Sequence, residues 1–241
     1  MNSLSIKNSL SSKTALVLGC TGQDGSLICK SLLHKNYEVI GVSQNSHKKS
    51  KNLVALGIHE NIDFQNGDIK DRHFLETIIT KTNPLEIYNL AAQSSVGKSF
   101  SQPVSTLEGI VYGTINILEI CRNLEYKGRI FFAGSSELFG HTEENADIHH
   151  SHNPVSPYAI GKQASHNLVK LYREVHHLNC MTGILFNHES HLRNNNFITH
   201  KIISGAIECS KNKSYKIEIG NIEIERDWGW AAEYVEAMQL I

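Results

Sequence analysis

The sequence lacks the cysteine pattern of a disulfide-bonded or zinc-binding protein. Only five of its 241 residues are cysteines, they are widely spaced, and no two of them form a CxxC pair. An odd number of scattered cysteines argues against a disulfide framework, and the missing CxxC pairs argue against a structural zinc site. We therefore expect reduced, mostly buried thiols in a protein of the cytoplasm.

An excess of charge of one sign is also missing. Lys and Arg number 23 against 24 Asp and Glu, so the formal net charge is -1. A balanced charge gives no general attraction to nucleic acid or to an anionic membrane, and we expect neither as a partner. No stretch approaches the ~20 apolar residues needed to span a bilayer. Residues 1–12 lack the apolar core of a secretory signal, and we predict a disordered tail there.

Histidine is abundant, with fourteen residues, but its spacing does not suit a metal ion. His149, His150 and His152 fall in a polar segment with Asn153 and Pro154, without the helical spacing of metal-ligand pairs. We therefore expect a solvated loop there, and no metal site.

Short apolar segments alternate with amphipathic stretches along the chain. The predicted strands contain TALVLG, YEVIGV, IDFQNGDI, EIYNLAA, RIFFAGSS and CMTGILFN, and the predicted helices lie near residues 24–34, 72–81, 104–123, 158–177 and 197–211. This alternation predicts an α/β fold with a doubly wound parallel sheet covered on both faces. No linker rich in Pro, Gly or Ser divides the chain.

The stretch LGCTGQDG, residues 18–25, places three glycines at three-residue intervals between the first predicted strand and the first helix. Glycine lets the backbone turn tightly and approach a diphosphate, whose charge is stabilised by free amides at a helix N-terminus. Glycine also ends strands for structural reasons, but at this place the triplet favours dinucleotide binding. The predicted cofactor-binding residues of the turn are Gly19, Thr21, Gly22, Gln23, Asp24 and Gly25.

The end of the second predicted strand bears on the choice of cofactor. An acid there favours NAD and a base favours NADP. The chain reads GVSQNSHKK, without a carboxylate and with Lys48 and Lys49 following, which favours NADP without excluding NAD. The two lysines can equally belong to a solvated loop. Asp68, after the third strand, can accept a hydrogen bond from an adenine amine or cap a turn.

The stretch SPYAIGK sets Tyr158 and Lys162 four residues apart, on one face of a predicted helix. An adjacent ammonium group is expected to lower the phenol pKa, so that Tyr158 can take a proton from an alcohol. In FFAGSSELFG, Ser135 and Glu137 follow the fifth strand. They can bond a substrate oxygen and act as a general base, or they can form a helix N-cap beside a solvated glutamate.

These motifs, together with NLAAQSSV, resemble those of the extended short-chain dehydrogenase/reductase superfamily, whose members act on nucleotide sugars. TGQDGS, SSELFG, GILFNHES and RDWG are similar to signatures of the GDP-mannose 4,6-dehydratase family. The resemblance runs from about residue 13 to the last residue. It implies a Rossmann-like core over residues 13–182. It also implies a partial substrate-binding region over residues 183–241, interleaved with the last strands and incomplete, because family members continue beyond this point.

The resemblance implies a reaction in three stages. Tyr158, helped by Lys162 and Ser135, deprotonates the C4 hydroxyl of GDP-mannose while hydride passes to NADP. Glu137 removes the C5 proton and assists the loss of water from C6. The hydride then returns to C6, which gives GDP-4-keto-6-deoxymannose.

Other residues receive roles by the same resemblance. Ala91, Tyr158 and Lys162 join the cofactor site, Asn187 contacts the nucleotide sugar, and Arg226 lies near its diphosphate. A homodimer or homotetramer is implied. Two alternatives stay open, namely a related nucleotide-sugar reductase or epimerase, and a truncated NADP-binding protein without turnover.

The chain departs from the family pattern at three places. Ser135 replaces a threonine, which preserves the hydroxyl. Residues 191–194 read HLRN where the family has PRRG, and Gln44 and Asn45 replace a pair of arginines that binds the cofactor phosphate and joins subunits. The last two changes bear on NADP preference and on tetramer formation.

The stretch ILFNHES, residues 184–190, begins apolar and ends in four polar residues. These residues form either a solvated loop or part of a site. Because they follow the sixth predicted strand, they are expected at the edge of the sheet where ligands bind. Asn187 is the expected contact, and His188 and Glu189 are expected to shape the loop.

Overall fold

A computed structural model describes residues 13–44 and 50–241. The predicted tail at residues 1–12 lies outside the described residues, as do Asn45, Lys48 and Lys49. The strands are β1 Lys13–Leu18, β2 Tyr37–Ser43, β3 Asp63–Asn66, β4 Glu86–Asn89, β5 Arg129–Ala133, β6 Cys180–Gly183, β7 Asn187–Glu189 and β8 Trp228–Trp230. The α-helices are α1 Gln23–His34, α2 Lys51–Ala55, α3 Arg72–Thr82, α4 Val96–Ser101, α5 Pro103–Leu107, α6 Gly113–Asn123, α7 Pro157–His176, α8 Ile198–Lys211 and α9 Ala231–Leu240.

Six strands form one parallel sheet in the order β3-β2-β1-β4-β5-β6. The predicted doubly wound α/β fold is therefore confirmed. The chain turns outward in opposite directions on the two sides of β1 and β4, and parallel sheets of this order bind ligands in the crevice at the carboxyl ends of those strands.

The two faces of the sheet are covered by different helices, which explains the continuous apolar strands. In β1, Leu16 and Leu18 belong to one buried cluster, and Ala15 and Val17 belong to the other. Successive side chains of a strand point to opposite faces, so a strand covered on both sides must be apolar throughout. The first cluster includes α3, α6 and α7 residues, and the second includes α1 and α9 residues.

One long helical segment, Pro103–Asn123, combines α5, a π-helical turn at Glu108–Tyr112, and α6. Among the described residues it is the one helix with the length and composition to cross a membrane. The expectation that no segment reaches that size was therefore wrong. Ile117, Leu118 and Ile120 of this segment are buried in the core, and the core helix of a globular domain passes the same test.

The sequence predicts one strand through CMTGILFN, and the structure divides it. β6 ends at Gly183, and Asn187–Glu189 instead pairs in parallel with Trp228–Trp230 as a separate two-stranded sheet. The polar residues after Phe186 are therefore largely a short strand rather than a loop. Helix α9 follows β8 and packs on α1, so the last residues of the chain return to the helical layer that covers the core.

Candidate active site

The three glycines of the first turn have different structural roles. Gly19 has φ +88°, and a Cβ there would lie 2.7 Å from the Leu90 carbonyl oxygen. A Cβ on Gly25 would lie 2.2 Å from the Gly19 carbonyl oxygen. A Cβ on Gly22 would meet only that oxygen, at 3.4 Å. The fold itself thus requires Gly19 and Gly25, whereas Gly22 lies open towards the adjacent cavities.

Helix α1 begins without a side-chain cap on its first amides. Its N-cap, Gly22, has no side chain to donate or accept, whereas α3, α4 and α7 begin with Asp71, Ser95 and Ser156 as hydrogen-bonding caps. The first amides of a helix need acceptors, and an anionic ligand supplies them. The turn therefore has the geometry of a diphosphate site.

Two cavities meet at this turn. One of about 490 Å³ is lined by Thr21, Ser43 and Asp68, and one of about 640 Å³ extends toward Tyr158. Their shared lining includes Gly19, Gly22, Leu90, Ala91, Ala92, Gln93 and Lys98. Volumes of this size suit small-molecule and cofactor ligands, and the two cavities form one groove over the glycine turn.

The smaller cavity contains the residues predicted to read the adenosine end. Ser43 and Gln44 stand at the end of β2, and the Thr21 and Ser43 hydroxyls lie 2.8 Å apart. Asp68 lines the same cavity, and its Oδ1 accepts from the Lys70 amide at 2.9 Å. Asp68 thus caps a turn and also borders the cavity, so its contact with adenine stays a prediction.

The larger cavity brings together Ser135, Glu137, Tyr158 and Lys162. Ser135 is the N-cap of the 3-10 turn Ser136–Phe139, and its Oγ accepts from the Glu137 amide at 3.3 Å. The prediction that Ser135 forms a helix N-cap is therefore correct. The same cap holds Glu137 at the cavity wall. Tyr158 lies in the first turn of α7, and Lys162 lies one turn later.

The expected effect of Lys162 on the Tyr158 pKa is not found. Burial raises the pKa of Tyr158 to about 12, against the opposing effect of a hydrogen bond from Ser135. Burial also lowers the pKa of Lys162 to about 8. The Lys162 ammonium donates to the Ala133 carbonyl at 2.8 Å, and its Nζ lies 5.7 Å from the Tyr158 ring centre. Desolvation therefore dominates over the attraction between the two groups.

The two predicted substrate contacts are placed differently. Asn187 lines the larger cavity from β7. Arg226 is exposed, donates to the Glu225 carbonyl at 2.7 Å, and is absent from the described lining of the cavity. The structure thus brings Asn187, but not Arg226, to the residues around Tyr158.

Three cavity residues were not predicted as site residues, although two of them, Ala92 and Trp228, lie within the motifs NLAAQSSV and RDWG. Ala92 has φ +133°, a conformation that L-residues rarely adopt and that costs about 1–3 kcal/mol. Trp228 lies opposite Asn187 in the small sheet and lines the cavity. Arg193 pairs with Glu189 at 3.0 Å and lies over the Phe197 ring. Ala92 reaches the groove because it follows β4, whereas Trp228 is brought there by the pairing of β8 with β7, which short-range spacing in the sequence does not reveal.

No group of three or more His, Cys, Asp or Glu side chains suited to a metal ion occurs within residues 13–44 and 50–241. Two of the three histidines of the polar segment, His150 and His152, make aromatic contacts. His150 and His152 lie edge-on to the Phe139 ring, and His152 also contacts His166.

Comparison with known sequences gives a consistent result. A family model described as GDP-mannose 4,6 dehydratase matches residues 16–241. GDP-mannose 4,6 dehydratase 1 of Arabidopsis thaliana is 39% identical over 95% of this chain and 66% of its own length. GDP-mannose 4,6-dehydratase of Sinorhizobium fredii is 37% identical over 95% of this chain and 68% of its own. The chain thus spans about two thirds of the length of these relatives.

Comparison with solved structures supports the fold. The UDP-glucose 4-epimerase of Thermus thermophilus, in complex with NAD, superimposes with a TM-score of 0.82 at 24% identity, over 94% of this chain and 73% of that one. A double mutant of the dTDP-glucose 4,6-dehydratase of Streptomyces venezuelae, with NAD bound, gives a TM-score of 0.83 at 20% identity, over 94% of this chain and 70% of that one. At these identities the likeness concerns the fold alone.

Proposed function

Because the chain belongs to the GDP-mannose 4,6-dehydratase family, we propose that it is a nucleotide-sugar 4,6-dehydratase that converts GDP-mannose to GDP-4-keto-6-deoxymannose. The observation that carries this proposal is the meeting of Ser135, Glu137, Tyr158 and Lys162 in one cavity beside an uncapped glycine turn. This set contains a candidate base for a hydroxyl proton and a separate carboxylate for a second proton, as a dehydration requires.

The proposed cofactor is a nicotinamide dinucleotide. The space above Gly22, the uncapped first amides of α1 and the groove formed by the two cavities fit a diphosphate with a nucleoside on either side. Gly19, Thr21 and Gly22 would hold the diphosphate, and Ser43, Gln44 and Asp68 would border the adenosine. Ser43 and Gln44 place no carboxylate that would select NAD at the end of β2, and Gln44 brings no positive charge for a 2′-phosphate, so we propose NADP without excluding NAD.

The chain's own residues would divide the proton transfers between them. With a pKa of about 12, Tyr158 holds its proton at neutral pH, and the Ser135 hydroxyl favours release because its hydrogen bond stabilises the phenolate. Lys162 is held by the Ala133 carbonyl and keeps a positive charge below its pKa of about 8. When bound, an oxidised nicotinamide supplies a hydride acceptor and a further positive charge. Glu137 lines the same cavity and would act as the base for C5.

The test is turnover of GDP-mannose by the purified protein with NADP, followed by mass spectrometry of the nucleotide sugar. We expect loss of one water, and we expect Tyr158→Phe and Glu137→Gln each to abolish the product while NADP binding persists. Tyr215→Phe and Glu144→Gln are matched controls, because these exposed residues lie outside the described lining of the groove. Turnover of other nucleotide sugars alone would favour the related reductase or epimerase. Binding of NADP without turnover of any nucleotide sugar would favour the second alternative, a truncated NADP-binding protein.

We also propose that the protein forms a homo-oligomer through α7. Ile160, Leu171 and Val175 are about half exposed and recur on one side of this helix, where they form an apolar stripe. Light scattering of the wild type against Leu171→Glu tests this, with a smaller particle expected for the variant.

The proposed location is the cytoplasm. All five cysteines are free, and four of them are buried, as expected in a reducing compartment.

A further inference from the structure

His188 lies between two groups that can only accept hydrogen bonds. Its Nδ1 is 2.7 Å from the Phe186 carbonyl oxygen, and its Nε2 is 2.9 Å from Asp24 Oδ2. A neutral imidazole has one N–H group, so it can satisfy only one of these acceptors, whereas an imidazolium satisfies both. The geometry therefore indicates a protonated His188 paired with an ionised Asp24. This ion pair joins the first turn of α1 to β7.

The surroundings hold the pair in one arrangement. The buried His188 ring stacks on the Tyr234 ring of α9, with centres 4.4 Å apart and planes 14° apart. The Gln23 amide donates to Asp24 Oδ1 at 3.0 Å and to the His188 carbonyl at 3.1 Å. A Cβ on Gly229 would lie 2.3 Å from the Tyr234 ring, so glycine there leaves room for the stack.

The Asp24 carboxylate lies where its negative charge, if not neutralised, would repel an anionic ligand. It is in the first turn of α1, next to the uncapped amides, and it lines the larger cavity with Gly22 and Gly25. A carboxylate at a helix N-terminus is attracted by the helix dipole, and it opposes a second anion at the same place. The Asp24 hydrogen bonds described above go to side chains, so the carboxylate does not occupy the amides that a diphosphate would use.

We propose that His188 is a positioning residue that neutralises Asp24 and thereby keeps the anion site at the start of α1 available to the diphosphate of a dinucleotide. The inference rests on the proposed function for the identity of the ligand. The anion site itself can be tested without turnover.

The ionisation of both groups agrees with this role. Burial acts to lower the pKa of His188, but the hydrogen bond and charge of Asp24 outweigh it and raise the pKa above 6.5. Burial acts to raise the pKa of Asp24, but the hydrogen bond and charge of His188 hold it below 3.8. The other charged or titratable groups near the pair are Lys162 and Tyr158 from α7, Glu189 of β7, Arg193 after β7, Tyr234 of α9 and Asp227 before β8.

The raised pKa gives the sign of the pH dependence. A group whose pKa is raised in the folded protein contributes while it is protonated, so the His188 contribution is lost as pH rises through its raised pKa. Affinity for a diphosphate ligand should therefore fall across that range. In a variant without both charges, this part of the fall should disappear.

The experiment compares wild type, His188→Gln, Asp24→Asn and the double variant by calorimetric titration with NADP, ADP and adenosine. ADP and adenosine differ by the diphosphate. We expect His188→Gln to weaken NADP and ADP at least tenfold and to leave adenosine within about threefold. The double variant, which adds Asp24→Asn to His188→Gln, should bind ADP again, because the unpaired negative charge of Asp24 is then removed. His152→Gln, outside the described cavity lining, is the control and should bind like wild type.

Each outcome decides the proposal. Three results would overturn the proposal. These are unchanged ADP affinity in His188→Gln, an equal loss of adenosine affinity, and an ADP affinity of the double variant as low as that of His188→Gln. A wild type that binds no ADP would also overturn it. If wild type binds ADP and the rescue is seen, but GDP-mannose is not turned over, the proposed function fails and this inference stands. Thermal melts of all four proteins identify any variant that does not fold, and the rescue of ADP binding by the second substitution cannot arise from a lost fold.

Discussion

The three glycines of the first turn should respond differently to replacement by alanine. Gly25→Ala places a methyl group 2.2 Å from the Gly19 carbonyl oxygen and 2.9 Å from Cys20 Cα, both of which are backbone atoms that cannot rotate away. Overpacking costs about 1–3 kcal/mol, and a helix gains about 1 kcal/mol from alanine over glycine. With the clash at the upper end of its range, the free energy of unfolding should fall by about 2 kcal/mol.

Gly22→Ala should leave the fold nearly intact and affect the ligand instead. Its backbone, φ -73° and ψ 174°, is open to alanine, and the nearest atom to the new methyl group is 3.4 Å away. Alanine is a poor N-cap, so a loss of at most about 1 kcal/mol is expected. The methyl group adjoins both cavities, and we expect NADP affinity to fall about tenfold, or about 1.4 kcal/mol.

Urea denaturation gives the stabilities, and titration with NADP gives the affinities. Gly97→Ala is the control, because it lies in α4 with no atom within 4 Å of the new methyl group. It should be neutral or stabilising by up to about 1 kcal/mol. A Gly25→Ala protein as stable as Gly97→Ala would refute the close approach at Gly19. Wild-type NADP affinity in Gly22→Ala would refute the placement of the diphosphate.

Three further outcomes follow from charge, burial and exposure. Burial acts to raise the pKa of Glu86, but hydrogen bonds from two tyrosines and Arg129 hold it below 4.5. Its contribution to stability is thus lost as pH falls through that lowered pKa, and Glu86→Gln should flatten the dependence of unfolding free energy on pH there. Cys209 is the one cysteine that is not buried, so a thiol reagent should modify one site quickly, and Cys209→Ser should remove that phase. The chain has two tryptophans, of which Trp228 lines the groove. GDP-mannose should quench the tryptophan fluorescence of Trp230→Phe, which keeps Trp228, but not that of Trp228→Phe. Equal quenching in the two variants would contradict the placement of Trp228 in the groove.

The residues proposed to be catalytic could be found from local spacing because each pair lies within one short segment. Tyr158 and Lys162 share a helix face, and Ser135 and Glu137 share one turn. The pKa of Tyr158 could not be predicted in this way. It depends on how many atoms exclude water around the phenol, and those atoms come from distant parts of the chain.

The stretch ILFNHES shows the same limit. Its apolar start and polar end are visible in the sequence, but the separation of β7 from β6, which ends at Gly183, follows from pairing with Trp228–Trp230, about forty residues later. The role given to His188 also required the tertiary structure. A histidine after a strand has no preferred partner until folding brings it to Asp24, 164 residues away in the sequence.

The sequence by itself determined the doubly wound sheet, the glycine turn and the family. Hydrophobic periodicity, backbone freedom and short motifs are local properties, and each is complete within a few residues. Only the tertiary structure decided which polar groups share the groove, that Arg226 lies outside its described lining, and that Asp24 has a counter-charge. Those properties depend on distance and on the exclusion of water, which residues far apart in the chain create together.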